Sequence, residues 1–270
     1  MSDLHLNNAS RAHLDSFIAR PMHALLVHGQ KGVGLKTIAD TYAQKLGDVV
    51  VREVNPDEKG TIAIETVRGL YALTRTQRDT PLVIIIDDAE SMGREAQNAL
   101  LKLLEEPSRN VFFILTTHHA QGLLATITSR VQRIEILPIT KEESTKLLDK
   151  SLEPALQAQI LFLASGLPAE IMRLQTDETY RTQQIKLMKD ARQYLQTEAY
   201  ERLTLSSEYA SDRVMVLRFL ESLSSLIMFM TLEKQQVDLV DRLESIETTR
   251  ERISQNAHIK TQLAYLATVF

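Results

Sequence analysis

The placement of glycine and proline constrains this chain more than any other feature of its sequence. Only 9 Gly and 7 Pro occur among 270 residues, roughly half the usual combined share. Loops and turns consume these two residues, so a chain short of them favours helix. From Ala169 to Phe270 there is neither. Three of the nine glycines, Gly29, Gly32 and Gly34, fall within six residues. The pattern predicts a punctuated, mixed N-terminal half followed by an all-helical segment.

Composition narrows the classes further. With 44% hydrophobic and 24% charged residues, the chain is globular, with enough apolar side chains for a sizeable core. It has no cysteine, which excludes a disulfide framework, a thiol nucleophile and a thiolate-held metal. No uninterrupted apolar run reaches the roughly 18–20 residues of a bilayer span. Met1-Ser2-Asp3-Leu4-His5 lacks the charged-then-apolar layout of a secretory leader. The expectation is a cytoplasmic protein with no membrane partner. A net charge of −4, without a basic tail or aromatic–basic interleaving, argues against tight DNA binding by the chain alone.

Up to about Pro138, short β-branched runs alternate with helical patterns. The runs Ala24–Val27, Val49–Val51, Leu82–Ile86, Phe112–Leu115 and Ile134–Ile136 are apolar without alternation. Such runs suit strands of a parallel sheet covered on both faces. Helices are predicted from about Leu35 to Leu46, from Ile64 to Arg75 and from Arg94 to Glu106. The last carries Ala96, Ala99, Leu100, Leu103 and Leu104 on one stripe and stops before Pro107. Thr140 and Glu143 have capping-box spacing for a further helical unit running to about Leu174. Beyond Thr179 the apolar positions keep helical spacing, as in Val216, Phe219, Leu220, Leu223, Ile227 and Met230.

The glycine cluster lies between a strand and a helix, where loop N–H groups and a helix N-terminus face an anion. Gly29 and Gly34 fit the two glycines of the phosphate-binding pattern G-x-x-x-x-G-K-[ST], but Leu35 stands at the lysine position. Using Lys36 and Thr37 instead loses both glycines, and Lys36 points about 100° further round the helix. Nucleotide binding through backbone N–H groups stays open; efficient hydrolysis is not expected. The run Leu82–Ile86 ends in Asp87 and Asp88, where a P-loop protein holds Mg²⁺ through its Walker-B acid. The alternative is that both acids simply cap the following loop and helix; the glycine loop upstream favours the Walker-B reading.

Three segments in order add specificity: Asp87-Asp88-Ala89-Glu90, Asn98-Ala99-Leu100-Leu101-Lys102-Leu103-Leu104-Glu105-Glu106-Pro107 and Thr128-Ser129-Arg130-Val131. They resemble the AAA+ clamp-loader subunits of the bacterial replicative polymerase, DNA polymerase III, whose signatures read N-A-L-L-K-x-L-E-E-P and R-S-R-C. The resemblance runs from the glycine loop to about Leu174, and the missing lysine makes the chain look like the delta-prime, or stator, branch. It implies that Arg130 is an arginine finger reaching a neighbour's γ-phosphate in trans, where a rigid planar cation stabilises developing charge. Thr116 or Thr117 falls at the family's sensor-1 position. Ala169 stands where hydrolysing members carry a sensor-2 arginine, and Arg173 follows on another face. The zinc module of many clamp-loader subunits needs four cysteines, so no zinc is expected, and adjacent His118 and His119 diverge too far to share a metal.

The resemblance implies an α/β P-loop AAA+ domain with a five-stranded parallel sheet over residues 1–138, a helical lid over 139–178 and an all-helical, collar-like domain over 179–270. It implies a subunit that hydrolyses no ATP, has no cofactor of its own beyond residual ATP- or ADP-Mg, and helps load the sliding clamp onto primed DNA. Its partners would be the gamma/tau and delta subunits and the clamp, with DNA met only in the assembly. An active ATPase of the gamma/tau kind, with Lys36 reaching the phosphates, is the alternative. A small-molecule kinase leaves Ser129-Arg130-Val131 unexplained.

Overall fold

The computed structural model describes residues 4–75, 79–234 and 240–270, so Met1–Asp3, part of the N-terminal stretch that lacks a secretory leader's layout, lie outside the described residues. The chain forms two compact units, Met1–Thr176 and Asp177–Phe270.

The first unit opens with α1 (Asn8–Ala19), then alternates β1 (Ala24–Gly29), α2 (Leu35–Lys45), β2 (Val50–Val54), α3 (Ile64–Arg75), β3 (Leu82–Ile86), α4 (Arg94–Glu105), β4 (Val111–Thr117), α5 (Ala125–Thr128) and β5 (Gln132–Ile136). Three helices complete it: α6 (Lys141–Lys146), α7 (Pro154–Ala164) and α8 (Pro168–Thr176). Among the described residues all four strand pairings are parallel, in the order β2-β3-β4-β1-β5. Parallel neighbours need crossover helices, and these cover both faces of the sheet. Leu26, Ile84, Phe113 and Leu115 face α3 and α4; Leu25, Val27, Ile85 and Ile114 face α1 and α2. Each such side chain contributes about 1.5–3 kcal/mol on burial.

Every residue of β3 is buried, as its unbroken apolar run predicts. At the edge, β2 departs from that expectation: Val50 and Val51 are 45% and 40% exposed, because an edge strand has a neighbour on one side only. The N-terminal α1 is an addition to the elements read from the sequence. Its cap is Asn7, whose side chain accepts from the Ala9 N–H at 3.0 Å. Its Ser10 hydroxyl donates to the Glu135 carbonyl at 3.0 Å and accepts from the Leu137 N–H at 2.9 Å, tying the helix to the end of β5. The capping box at α6 forms, with Thr140 and Glu143 bonded reciprocally.

The second unit is helical throughout its described residues: α9 (Glu178–Gln196), α10 (Ala199–Ser207), α11 (Arg213–Lys234), α12 (Val240–Ser254) and α13 (Ile259–Val269). Its core is built on α11 through Val216, Phe219, Leu220, Leu223 and Ile227, all fully buried. Tyr194 meets Phe219 edge-on at 5.7 Å, and Tyr209 stacks on the same ring at 4.8 Å. Within α11, Arg213–Thr231 is long and apolar enough, by length and composition, to cross a membrane. That corrects the expectation from uninterrupted apolar runs, which Arg218, Glu221 and three serines break up. The stretch is the core helix of the bundle, and Arg218 donates to Gln183 at 3.0 Å.

Candidate functional site

The glycine loop takes its shape from backbone demands. Gly32 and Gly34 have φ of 93° and 90°, a left-handed region costly for any residue with a Cβ. At Gly29 a Cβ would stand 2.7 Å from the Ile136 carbonyl oxygen. Gly34 is the N-cap of α2 and supplies no side-chain cap, so the helix begins on bare N–H groups. The Gly32 carbonyl accepts from the Ala169 and Glu170 N–H groups at 2.9 and 3.2 Å, which seats the first turn of α8 on the loop.

The side chains after the loop turn away from it. Leu35 is 2% exposed and packs with Val33, Ile38 and Tyr42 in the core beneath α2. The Lys36 ammonium lies 2.7 Å from Glu53 on β2 and 3.3 Å from Asp40. Desolvation works against its charge, but the bonds and charges of Glu53 and Asp40 outweigh that and hold Lys36 above the ordinary lysine value. The hydrogen bond from Lys36 in turn lowers Glu53. Thr37 is exposed. Of the expected site residues, Lys36 and Thr37 therefore do not join the loop cluster.

The others come together because β4 lies between β1 and β3, so its C-terminal end meets both the glycine loop and Asp87. Thr116 donates to Asp87 Oδ1 at 2.6 Å and accepts from the Asp88 N–H at 3.0 Å. Thr117 faces elsewhere, accepting from the His119 N–H at 3.1 Å. Thr116 is thus the residue at the acidic strand end. Asp88 adopts φ 46°. Burial, then the charges of Asp87 and Glu90, push its carboxyl above the ordinary value, against the opposing influence of His118 and Lys31.

His118 is a site residue that sequence reasoning missed. Its Nδ1 lies 2.9 Å from the Gly29 carbonyl, and a carbonyl only accepts, so Nδ1 carries the proton. Nε2 faces Asp88 Oδ1 at 3.7 Å, while the His118 N–H donates to Glu90 at 2.8 Å. One imidazole therefore spans from the glycine loop to the acidic strand end. The available signal was its place two residues after Thr116, on the same face of an extended chain. Among the described residues no group of three or more His, Asp or Glu side chains is arranged to hold a metal.

Arg130 stands apart from this cluster. Buried Ile127 and Val131 anchor the segment on either side of it. Its Nη1 donates to the Thr126 carbonyl at 2.9 Å and to the Ser129 hydroxyl at 3.3 Å. Its Nη2 lies 2.8 Å from Glu105 Oε1, with the two side chains 36% and 45% exposed. The stripe on α4 forms largely as read, but it also contains buried Gln97. That side chain donates to the Met92 and Gly122 carbonyls at 2.9 and 3.1 Å and accepts from the Leu124 N–H at 2.8 Å. It fixes the segment leading into α5 and Arg130. The polar residues of the α4 signature, Asn98, Lys102, Glu105 and Glu106, are exposed.

A family model described as DNA polymerase III, delta subunit, matches residues 47–140. The chain is 32% identical over 187 residues to the DNA polymerase III subunit delta' of Pseudomonas aeruginosa, covering 58% of this chain and 56% of that one. It is 28% identical over 179 residues to the delta' subunit of Haemophilus influenzae, covering 57% and 54%. The chain thus spans a little over half the length of these relatives. Among solved structures, a DNA polymerase III gamma subunit-related protein from Thermotoga maritima aligns with a TM-score of 0.60 at 19% identity, over 97% of this chain and 98% of that one. At that identity the likeness concerns the fold.

Proposed function

We propose that this chain, which is similar to DNA polymerase III delta' subunits, is a non-hydrolysing subunit of the bacterial clamp-loader AAA+ kind that assists a neighbour's ATP site. In this reading Arg130 enters the neighbouring subunit's site and stabilises charge on the transferred phosphoryl group. The assembly of gamma/tau, delta and this chain then opens the sliding clamp and places it on primed DNA. The helices of Asp177–Phe270 supply the surface that holds the ring together.

The observation that carries the reading is Leu35 in the core. A P-loop lysine reaches the β- and γ-phosphates; an aliphatic side chain packed under α2 cannot, and Lys36 is engaged by Glu53 and Asp40. The residues at the loop therefore do not fit productive Mg-ATP chemistry, although loop N–H groups and Asp87 persist. Arg130, by contrast, is partly exposed on a segment pinned by Gln97 and Val131.

The test adds the purified chain to an ATPase-competent gamma/tau-type subunit with delta, clamp and primed DNA. The wild-type chain is expected to stimulate turnover and Arg130→Ala to lose that stimulation, with no turnover by the chain alone. An Arg130→Ala chain as effective as wild type would remove the finger role. Steady ATP hydrolysis by the lone chain, abolished by Lys36→Ala, would favour the gamma/tau-like alternative.

A further inference from the structure

We propose that Glu105 is an intramolecular latch on Arg130, holding the guanidinium in cis until a neighbour's terminal phosphate displaces it. The inference rests on the trans role of Arg130 given above. Glu105 is the last residue of α4, and a carboxylate there meets the negative end of the helix dipole, where acidic side chains destabilise. Helix formation therefore does not account for an acid at this position; its compensating partner is the Arg130 guanidinium at 2.8 Å.

The geometry makes the carboxylate and a phosphate competitors. Nη1 is bonded to the Thr126 carbonyl and Nη2 to Glu105. A phosphate approaching Nη2 meets Glu105 within a few ångströms, and two like charges that close repel strongly in a partly desolvated interface. The anion with more charge and more acceptor oxygens takes the guanidinium, and Glu105 swings into solvent. Both side chains are more than a third exposed, so the latch is weak, as surface pairs are. It is weak enough for ATP to open, and it keeps the finger from wandering among other anions.

The test measures association of the full chain with an ATP-loaded gamma/tau-type subunit by fluorescence titration. It compares wild type, Glu105→Gln, Arg130→Ala and the double variant, alongside stimulation of ATPase. Glu105→Gln is expected to tighten ATP-dependent association about 1.5- to 5-fold, the weight of one exposed ion pair, with stimulation at saturation retained. The gain should vanish in the Arg130→Ala background. Glu105→Ala, which cannot hydrogen-bond, should behave like Glu105→Gln. Weaker or unchanged association for Glu105→Gln, or an equal gain in both backgrounds, overturns the latch. If Arg130→Ala stimulates like wild type, the finger reading falls and the latch with it. If Arg130→Ala is defective and Glu105→Gln shifts nothing, only the latch falls.

Discussion

Replacing Leu35 separates a core position from a phosphate-binding one. The side chain is 2% exposed and packs with Val33, Ile38 and Tyr42. Truncating a buried leucine to alanine costs about 2–5 kcal/mol, the transfer of the lost atoms plus the cavity they leave. Leu35 sits in the first turn of α2, beside a loop that can relax into part of the space, so about 3 kcal/mol is expected. For a unit the size of Met1–Thr176, each kcal/mol moves the midpoint by roughly 2–4 °C, which predicts a fall of about 6–12 °C for Leu35→Ala. Leu35→Lys restores the motif on paper but buries an ammonium among aliphatic side chains, so its midpoint falls at least as far. It should gain no micromolar affinity for Mg-ATP. Thermal unfolding by circular dichroism and nucleotide titration by calorimetry check both statements. A Leu35→Lys chain that melts within about 2 °C of wild type and binds Mg-ATP tightly would refute the reasoning, since position 35 would then face the phosphates.

Gly32→Ala forces a Cβ into φ 93° and to 3.0 Å from the Glu170 Cβ. It should cost about 1–3 kcal/mol and speed hydrogen exchange at the Ala169 and Glu170 amides, read by mass spectrometry. Gln97→Ala leaves the Met92 and Gly122 carbonyls without their donor. A loss of about 2–4 kcal/mol is expected in urea unfolding and, on the proposed trans role of Arg130, a parallel fall in stimulation of a gamma/tau-type ATPase as the Arg130 segment loosens. Asp88 sits above its ordinary value of 3.8, so the folded chain holds that proton more tightly than the unfolded chain. Its ionisation therefore weakens the fold as pH rises through the interval between the two values. Asp88→Asn should then stabilise at neutral pH, with the advantage vanishing below about pH 3.8; an advantage that grew on acidification would contradict the assignment.

What the sequence reveals and what it hides divides along physical lines. The unbroken run Leu82–Ile86 reads as a central strand because burial on both faces leaves its mark on every residue. By the same logic α1 is easily passed over: in Asn8–Ala19 only Ser10, Leu14 and Phe17 are buried, too few for a full apolar stripe. The glycine loop and the acids at Asp87 and Asp88 are legible as a motif. Their assembly is not, because it depends on β4 lying between β1 and β3. Adjacent strand residues point to opposite faces, so choosing Thr116 over Thr117 needs the sheet order. The partners that redirect key cations, Glu53 for Lys36 and Glu105 for Arg130, lie 17 and 25 positions away in sequence, and only the register and the helix–helix contact bring them near.

The loop's own bonding leads to one more measurable consequence. An intact P-loop presents an ammonium and a row of N–H groups that are best satisfied by a phosphate, so its nucleotide contributes to folding stability. Here the Gly32 carbonyl is bonded to α8, Leu35 is in the core, and Lys36 has two carboxylates. The side chains that would hold a phosphate are engaged within the chain, so only the bare N–H groups at the start of α2 are left for a ligand to stabilise. Linkage turns this into a number: a ligand at 100 times its dissociation constant adds about 2.7 kcal/mol, or roughly 5–10 °C for a unit of this size. Mg-ATP at about 1 mM would deliver that shift if its affinity were about 10 μM. The expected shift is under about 1 °C, placing any dissociation constant near or above the millimolar range. A rise of several degrees that Lys36→Ala abolished would mean that Lys36 leaves Glu53 for the phosphate, and that the loop's internal bonding is a resting arrangement which nucleotide replaces.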